Sequence, residues 1–231
     1  ESPPKDKLDA LIVFLSNLGF DTRGIRDGEN VNLRALSALI EASFERGTEK
    51  QTSYAILRAM AKAKYSESHS PHFGLSIPLY CHFTSPIRRL SDLATHRIIR
   101  KVIFEKKTSA PYAAYAKRAA AAASDAELRA LGAERKIEDM YKALYLSAHV
   151  GEEFDATVSS VTSFGMFCEL ENTCEGLIPI SDMGEDFFFD EGNLSLRSKT
   201  RLYRLADPLR IRVEECDVNA GKVRFSLIES D

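Results

Sequence analysis

The sequence predicts an α+β chain, mainly helical over its first two-thirds and closing in a small five-stranded β-barrel. Three observations predict this. Before His149, apolar residues recur at helical spacing in stretch after stretch. From Gly151 onward the apolar runs shorten, several alternate, and Gly, Asn and Asp separate them. The 231 residues, 44% hydrophobic and 28% charged, suit one large or two modest globular domains. The expected division is 1–149 and 150–231.

The elements follow in order. "KLDALIVFLSNLGF" spaces Leu8, Leu11, Ile12, Leu15 and Leu18 as one helix face, with Gly19 as its stop. "GIRDGENVN" reads as a loop. "NLRALSALIEASFERG" repeats the helical pattern and ends on Gly47. "EKQTSYAILRAMAKAKY" is a third helix, to Tyr65. Residues 66–86 carry Pro71, Gly74, Pro78 and Pro86 and read as irregular, with a short strand or two. A helix capped by Ser85, with Pro86 as its first residue, should run to about Phe104. It should bury Ile87, Leu90, Leu93, Ala94, Ile98 and Val102. The alanine-rich run 112–124 and the stretch 125–149 predict two more helices. Five β-rich runs then follow: "EFDATVSSVT", "GMFCELE", "CEGLIPIS", "LRIRVEEC" and "KVRFSLIE". Five short strands in about 80 residues predict a closed barrel of the OB-fold kind.

Composition narrows the function. No run approaches ~18 apolar residues, so a membrane span is not expected. No secretory leader opens the chain, and the start on Glu1-Ser-Pro-Pro suggests a segment of something longer. The four cysteines lack metal-site spacing and read as reduced thiols. Cys168 and Cys174 are the one pair that a hairpin could bring together.

The net charge of −3 conceals an asymmetry. Residues 1–150 carry 23 Lys/Arg against 17 Asp/Glu, and residues 151–231 carry 8 against 17. Within the acidic part, Arg197, Lys199, Arg201, Arg204, Arg210 and Arg212 form a basic run that reads as a phosphate footprint or as a solvated face. The acidic group Asp182, Glu185, Asp186, Asp190 and Glu191 reads as a solvated loop.

"HFTSPIRRLSDLATHR", residues 82–97, is the segment richest in chemistry. Arg88 and Arg89 fall where a helix dipole disfavours cations by roughly 0.3–1 kcal/mol each. An anion docked there would reverse that penalty through the guanidiniums, free amides and the hydroxyls of Thr84 and Ser85. The other reading is a structural ion pair of Arg88 with Asp92 or with a distant carboxylate.

"HFGL" at 72–75 together with "YCHFTSPIRRLSDLATHR" at 80–97 resembles the end of the catalytic RNB domain in the ribonuclease II / ribonuclease R family. "GAERKIEDMYKALYL" resembles that domain's closing helix, and residues 151–231 resemble the family's RNA-binding OB-fold of the ribosomal protein S-one type. The resemblance implies the C-terminal segment of a processive 3′→5′ exoribonuclease that hydrolyses single-stranded RNA to nucleoside 5′-monophosphates. It implies catalytic roles for Arg88, which would grip a phosphate, and Glu134, near the terminal nucleotide. Thr84, Ser85 and Arg89 would line the RNA path. Phe164 and Phe167 would stack on bases, with Lys222 on the same face. His82 and His96 match the family pattern and also read as satisfied structural histidines.

Family members use Mg²⁺ held by a tight aspartate cluster, and no such spacing occurs in this chain. Mg²⁺ is therefore expected in the complete enzyme and not in this segment. The expected partners are single-stranded RNA and the N-terminal remainder of the same enzyme, the expected state a monomer, and the expected location the cytoplasm. Two departures stand out: Pro179 replaces a histidine common in the family, and Leu90-Ser91 replaces an aromatic followed by Pro or Gly. A non-catalytic RNA-binding relative and a protein-interaction module whose acidic barrel binds a partner remain as alternatives.

Overall fold

A computed structural model describes residues 3–27, 30–69, 71–75 and 77–228. The chain forms two compact units, one of Met60–Glu134 and the other of Pro4–Ala59 with Arg135–Asp231.

In the larger unit, α1 (Lys5–Asn17) buries Leu8, Leu11, Phe14 and Leu15. Gly19, at φ +80°, ends it as the spacing predicts. The strands β1 (Arg26–Asp27) and β2 (Asn30–Val31) pair within the segment expected to be a loop. Helix α2 (Leu33–Glu45) starts where the Asn32 side chain accepts the Arg34 and Ala35 amides, and Gly47 follows it at φ +66°. Helix α3 (Glu49–Ala59) packs on both earlier helices through Ala55, Ile56 and Ala59. It stops six residues short of Tyr65, whose amide donates to Ser124 Oγ instead.

The barrel carries the five expected strands. They are β3 (Glu153–Thr162), β4 (Gly165–Leu170), β5 (Glu175–Pro179), β9 (Pro208–Asp217) and β10 (Lys222–Leu227). Their order is β10-β5-β4-β3-β9, closed because β10 pairs in parallel with β5 and antiparallel with β9. Alternation sends Val158, Met166, Cys168, Ile178, Ile211, Val213 and Phe225 inward, all at most 1% exposed. Ala143 and Leu146 join that core. Cys168 and Cys174 are free thiols, and burial pushes the Cys168 thiol up to about 12.

Between β5 and β9 lies a three-stranded antiparallel sheet absent from the sequence expectation: β6 (Phe188–Asp190), β7 (Ser195–Arg197) and β8 (Leu202–Arg204). Leu196 is fully buried, while Phe189 and Tyr203 pack against the core.

In the smaller unit, residues 66–86 hold one isolated bridge, His72 to Ile77, and no longer strand among the described residues. Helix α4 (Leu90–Ile99) begins later than expected, with Arg89 rather than Ser85 as its N-cap, and ends in a π-helical turn, Arg100–Phe104. Ala94 is buried as expected. Ile87, Leu90 and Leu93 are exposed, Ile87 fully so. The two helices expected over 112–149 are one, α5 (Ala110–Ser147), which runs from this unit into the larger one. Within it the Ser124 hydroxyl accepts the Tyr65 amide.

Two glycines should respond oppositely to alanine. A Cβ at Gly176 would lie 2.6 Å from the fully buried Phe225 ring. Gly176→Ala should cost about 1–3 kcal/mol by overpacking. Gly132, inside α5, has open space around it, and Gly132→Ala should stabilise by roughly 0.5–1 kcal/mol. Urea melts of both variants check the signs.

Candidate nucleic-acid interface

The segment His82–Arg89 is folded around one carboxylate. Asp92 lies on the first turn of α4 and is 0% exposed. Its Oδ2 accepts the Ser85 amide at 2.7 Å and the Arg89 guanidinium at 2.9 Å, and its Oδ1 accepts the Ser91 hydroxyl at 3.1 Å. Burial alone would raise its pKa. The three donors outweigh that and hold the carboxyl below the usual range. The Ser85 carbonyl in turn accepts the Arg88 and Arg89 amides. Thr84, Ser85, Arg88 and Arg89 thus share one tight turn just ahead of the helix.

This geometry corrects the expected anion site. Arg89, not Arg88, is the partner of Asp92. The amides of Ser85, Arg88 and Arg89 are already bonded, so they are not donors for a ligand. Arg88 stays exposed and makes no ion pair among the described residues. Its attraction for an anion comes from the guanidinium itself. Thr84 is exposed beside it. Glu134 is exposed on α5 and has no bond to this turn among the described residues.

Both histidines of the motif have partners. His82 Nδ1 pairs with the Tyr65 hydroxyl at 2.9 Å, and His96 Nε2 with the Phe83 carbonyl at 2.8 Å, with the Phe83 ring 4.3 Å from the His96 ring. Tyr65, His72, Tyr80, His82, Ser91 and Glu127 help to line a cavity of about 570 Å³ in the same unit.

On the barrel, Phe164 is 55% exposed and Phe167 half-buried, their rings edge to face at 6.1 Å. The glycine between them is required, since a Cβ on Gly165 would lie 2.3 Å from the Ile178 carbonyl oxygen. Pairing continues the row: Phe167 faces Leu177, and Leu177 faces Arg224. Lys222, two residues before Arg224 on β10, lies on the same outward side and is exposed. Pro179 stands opposite Gly165. Arg224 is the residue that motif reading missed. It bonds Glu215 at 3.1 Å and Asp182 at 3.9 Å with half its side chain exposed, so both pairs are weak competitors for a phosphate. The alternation of "KVRFSL", with Val223 and Phe225 inward, already placed it outside.

The basic run divides. Arg212 and Arg210 bond Glu153 and lower its pKa, Arg212 the more strongly. Arg201 pairs with Glu185 and Arg204 with Asp207. Arg197 and Lys199 are exposed and make no ion pair within 4 Å among the described residues. In the acidic group, Asp190 is held by Asn193 and Glu185 by Thr200. Among the described residues, no three His, Cys, Asp or Glu side chains could hold a metal ion together.

Comparison with known proteins identifies the two parts of the chain. Residues 1–105 match the RNB domain and residues 147–228 the S1 RNA binding domain. The pair defines a protein in which an RNB domain is followed by an S1 module. Ribonuclease R 1 of Lactococcus lactis is 38% identical over the whole chain, and ribonuclease R of Aquifex aeolicus 35% identical over 99% of it. A Mycoplasma genitalium RNase R structure in complex with ribose-methylated single-stranded RNA superposes with a TM-score of 0.86 at 27% identity, covering 99% of this chain. The chain belongs to the ribonuclease R family. It spans 29%, 33% and 37% of the length of these three relatives.

Asp92→Asn should lower the melting temperature, and the loss should depend on pH. A carboxylate with a depressed native pKa adds stability that is fully present above its unfolded pKa, about 3.9, and fades as pH falls through the native value. Thermal melts of parent and variant should therefore differ at pH 7, and the difference should start to shrink only as pH falls below about 4.

Proposed function

We propose that the chain is the C-terminal segment of a processive 3′→5′ exoribonuclease that hydrolyses single-stranded RNA to nucleoside 5′-monophosphates. The observation that carries this is Arg88, exposed and without an ion pair among the described residues, in the Thr84–Arg89 turn of an RNB match. The Arg88 amide is bonded to the Ser85 carbonyl, and its exposed guanidinium, with no carboxylate paired to it among the described residues, suits a backbone phosphate. Thr84 supplies a hydroxyl beside it, and Arg89 holds the turn through Asp92. Glu134 is assigned a place near the terminal nucleotide. Residues 1–149 serve the catalytic domain and 150–231 hold the strand through Phe164, Phe167 and Lys222.

Mg²⁺ chemistry belongs to the complete enzyme, whose N-terminal remainder would supply the aspartates. The enzyme acts as a monomer in the cytoplasm. No described helix is long and apolar enough to cross a membrane.

Phosphoryl displacement builds charge on the non-bridging oxygens, so a fixed cation helps most in the transition state. In the complete enzyme Arg88→Ala should lower single-turnover cleavage by ~10²–10³ while changing RNA affinity far less. Arg88→Lys should rescue poorly, because a point charge cannot replace the planar fork. Normal cleavage by a variant that merely melts early would make Arg88 structural. On the barrel, Phe164→Ala with Phe167→Ala should weaken poly(A) binding by the ~1–3 kcal/mol per base that stacking contributes. An unchanged dissociation constant would remove the aromatic pair from the interface.

A further inference from the structure

Three consecutive phenylalanines, Phe187, Phe188 and Phe189, enter the three-stranded sheet. Phe187 is 8% exposed and Phe189 packs against the core, so alternation forces Phe188 outward, where it is 73% exposed. Pairing sets it in a row with two further outward residues: Phe188 faces Arg197, and Arg197 faces Leu202. Arg197 is exposed, and its charge is felt at a distance by Asp190. Exposed Lys199 lies in the turn between β7 and β8. From Ser195 to Ala206 the sequence holds four basic residues and no acidic one, inside a barrel region that is otherwise strongly acidic.

An exposed aromatic ring beside an exposed guanidinium is out of place on a purely solvated face. Each isolated large apolar side chain can be ordinary. Here the ring, the cation and Leu202 are aligned on one strand row, with a second cation in the adjoining turn. That combination offers a base a stacking surface and a phosphate two exposed positive charges. It repels acidic protein surface less than the rest of the barrel does, but nothing in the row selects a peptide side chain.

We infer that this sheet is a second RNA-contact surface, separate from the row of Phe164, Phe167 and Arg224. Phe188 and Arg197 stack one unpaired base, and Arg197 and Lys199 hold its flanking phosphates. The inference rests on the RNA-binding reading of the barrel. It adds that a strand long enough to leave the β4–β5–β10 face has a further grip on the same module. The turn Ile180–Asp182 leads from β5 toward the sheet, and its Asp182 bonds Arg224, so the two surfaces are joined by a short stretch of chain.

The test is salt-dependent binding of fluorescent poly(A) to the full 231-residue chain and to two double variants. Phe188→Ala with Arg197→Ala should weaken binding at least about fivefold, as loss of one stacked base implies. The slope of log affinity against log salt should become shallower by about 0.7, the share of one phosphate contact on a single strand. Arg197→Lys alone should keep the slope while losing part of the affinity. Thermal melting of the Phe188/Arg197 variant should be unchanged, because both altered side chains are exposed. If poly(A) binds the parent, is weakened in the Phe164/Phe167 variant and is unchanged in affinity and slope in the Phe188/Arg197 variant, the second surface is overturned alone. A parent chain that binds no poly(A) overturns the RNA-binding reading and this inference together.

Discussion

A carboxylate sealed from water must find its donors in the protein, and Asp92 finds three. This constraint shapes the motif of the smaller unit. The Ser85 amide is drawn to the carboxylate, so Ser85 cannot cap the helix. The chain closes a turn through the Ser85 carbonyl, and the helix begins only after Arg89. One of the paired arginines is consumed in neutralising the carboxylate. The other is left exposed, on a backbone that the first has fixed. Two adjacent residues of identical type therefore take opposite roles, and the division follows from which one Asp92 reaches.

In the larger unit the proposed RNA contact faces a different problem, because the barrel is acidic and RNA is a polyanion. Carboxylates neutralise much of the positive charge: Glu153 takes Arg210 and Arg212, Glu185 takes Arg201, and Asp207 takes Arg204. Cations remain accessible at Lys222, at the weakly paired Arg224, and at Arg197 and Lys199. Each lies on a strand or in a turn next to an outward aromatic row. Stacking does not depend on net charge, so a barrel of this composition can bind single strands with little sequence preference and with affinity that salt reduces.

The barrel was legible because its strands alternate over five to ten residues, long enough for a period of two to show. The β6–β8 sheet was not, since three-residue strands leave no period, and the triple phenylalanine read simply as apolar. Arg224 could have been found from the same alternation that located its strand. At α4 the local signal of Ser-Pro was sound as propensity and lost to a tertiary bond that no periodicity records. The division expected at 124/125 failed as well: no proline interrupts 112–147, and the helix runs through. The exposure of Ile87, Leu90 and Leu93 was hidden as well: the spacing identifies an apolar face and says nothing about what covers it. Arg88, Phe164, Phe167 and Lys222 were named from the motif, and the fold puts each of them at the surface. Glu134 was named the same way and stands on α5 without a bond to the Arg88 turn among the described residues.

The central claim is that this chain grips RNA and does not by itself assemble the metal centre that cuts it. The most direct measurement follows one sample of the purified chain with end-labelled single-stranded RNA and Mg²⁺, recording binding by anisotropy and products by gel. The account predicts binding that weakens steeply with salt and no mononucleotide at any Mg²⁺ concentration. Mg²⁺-dependent release of mononucleotides, or RNA that stays unbound at low salt, would contradict it.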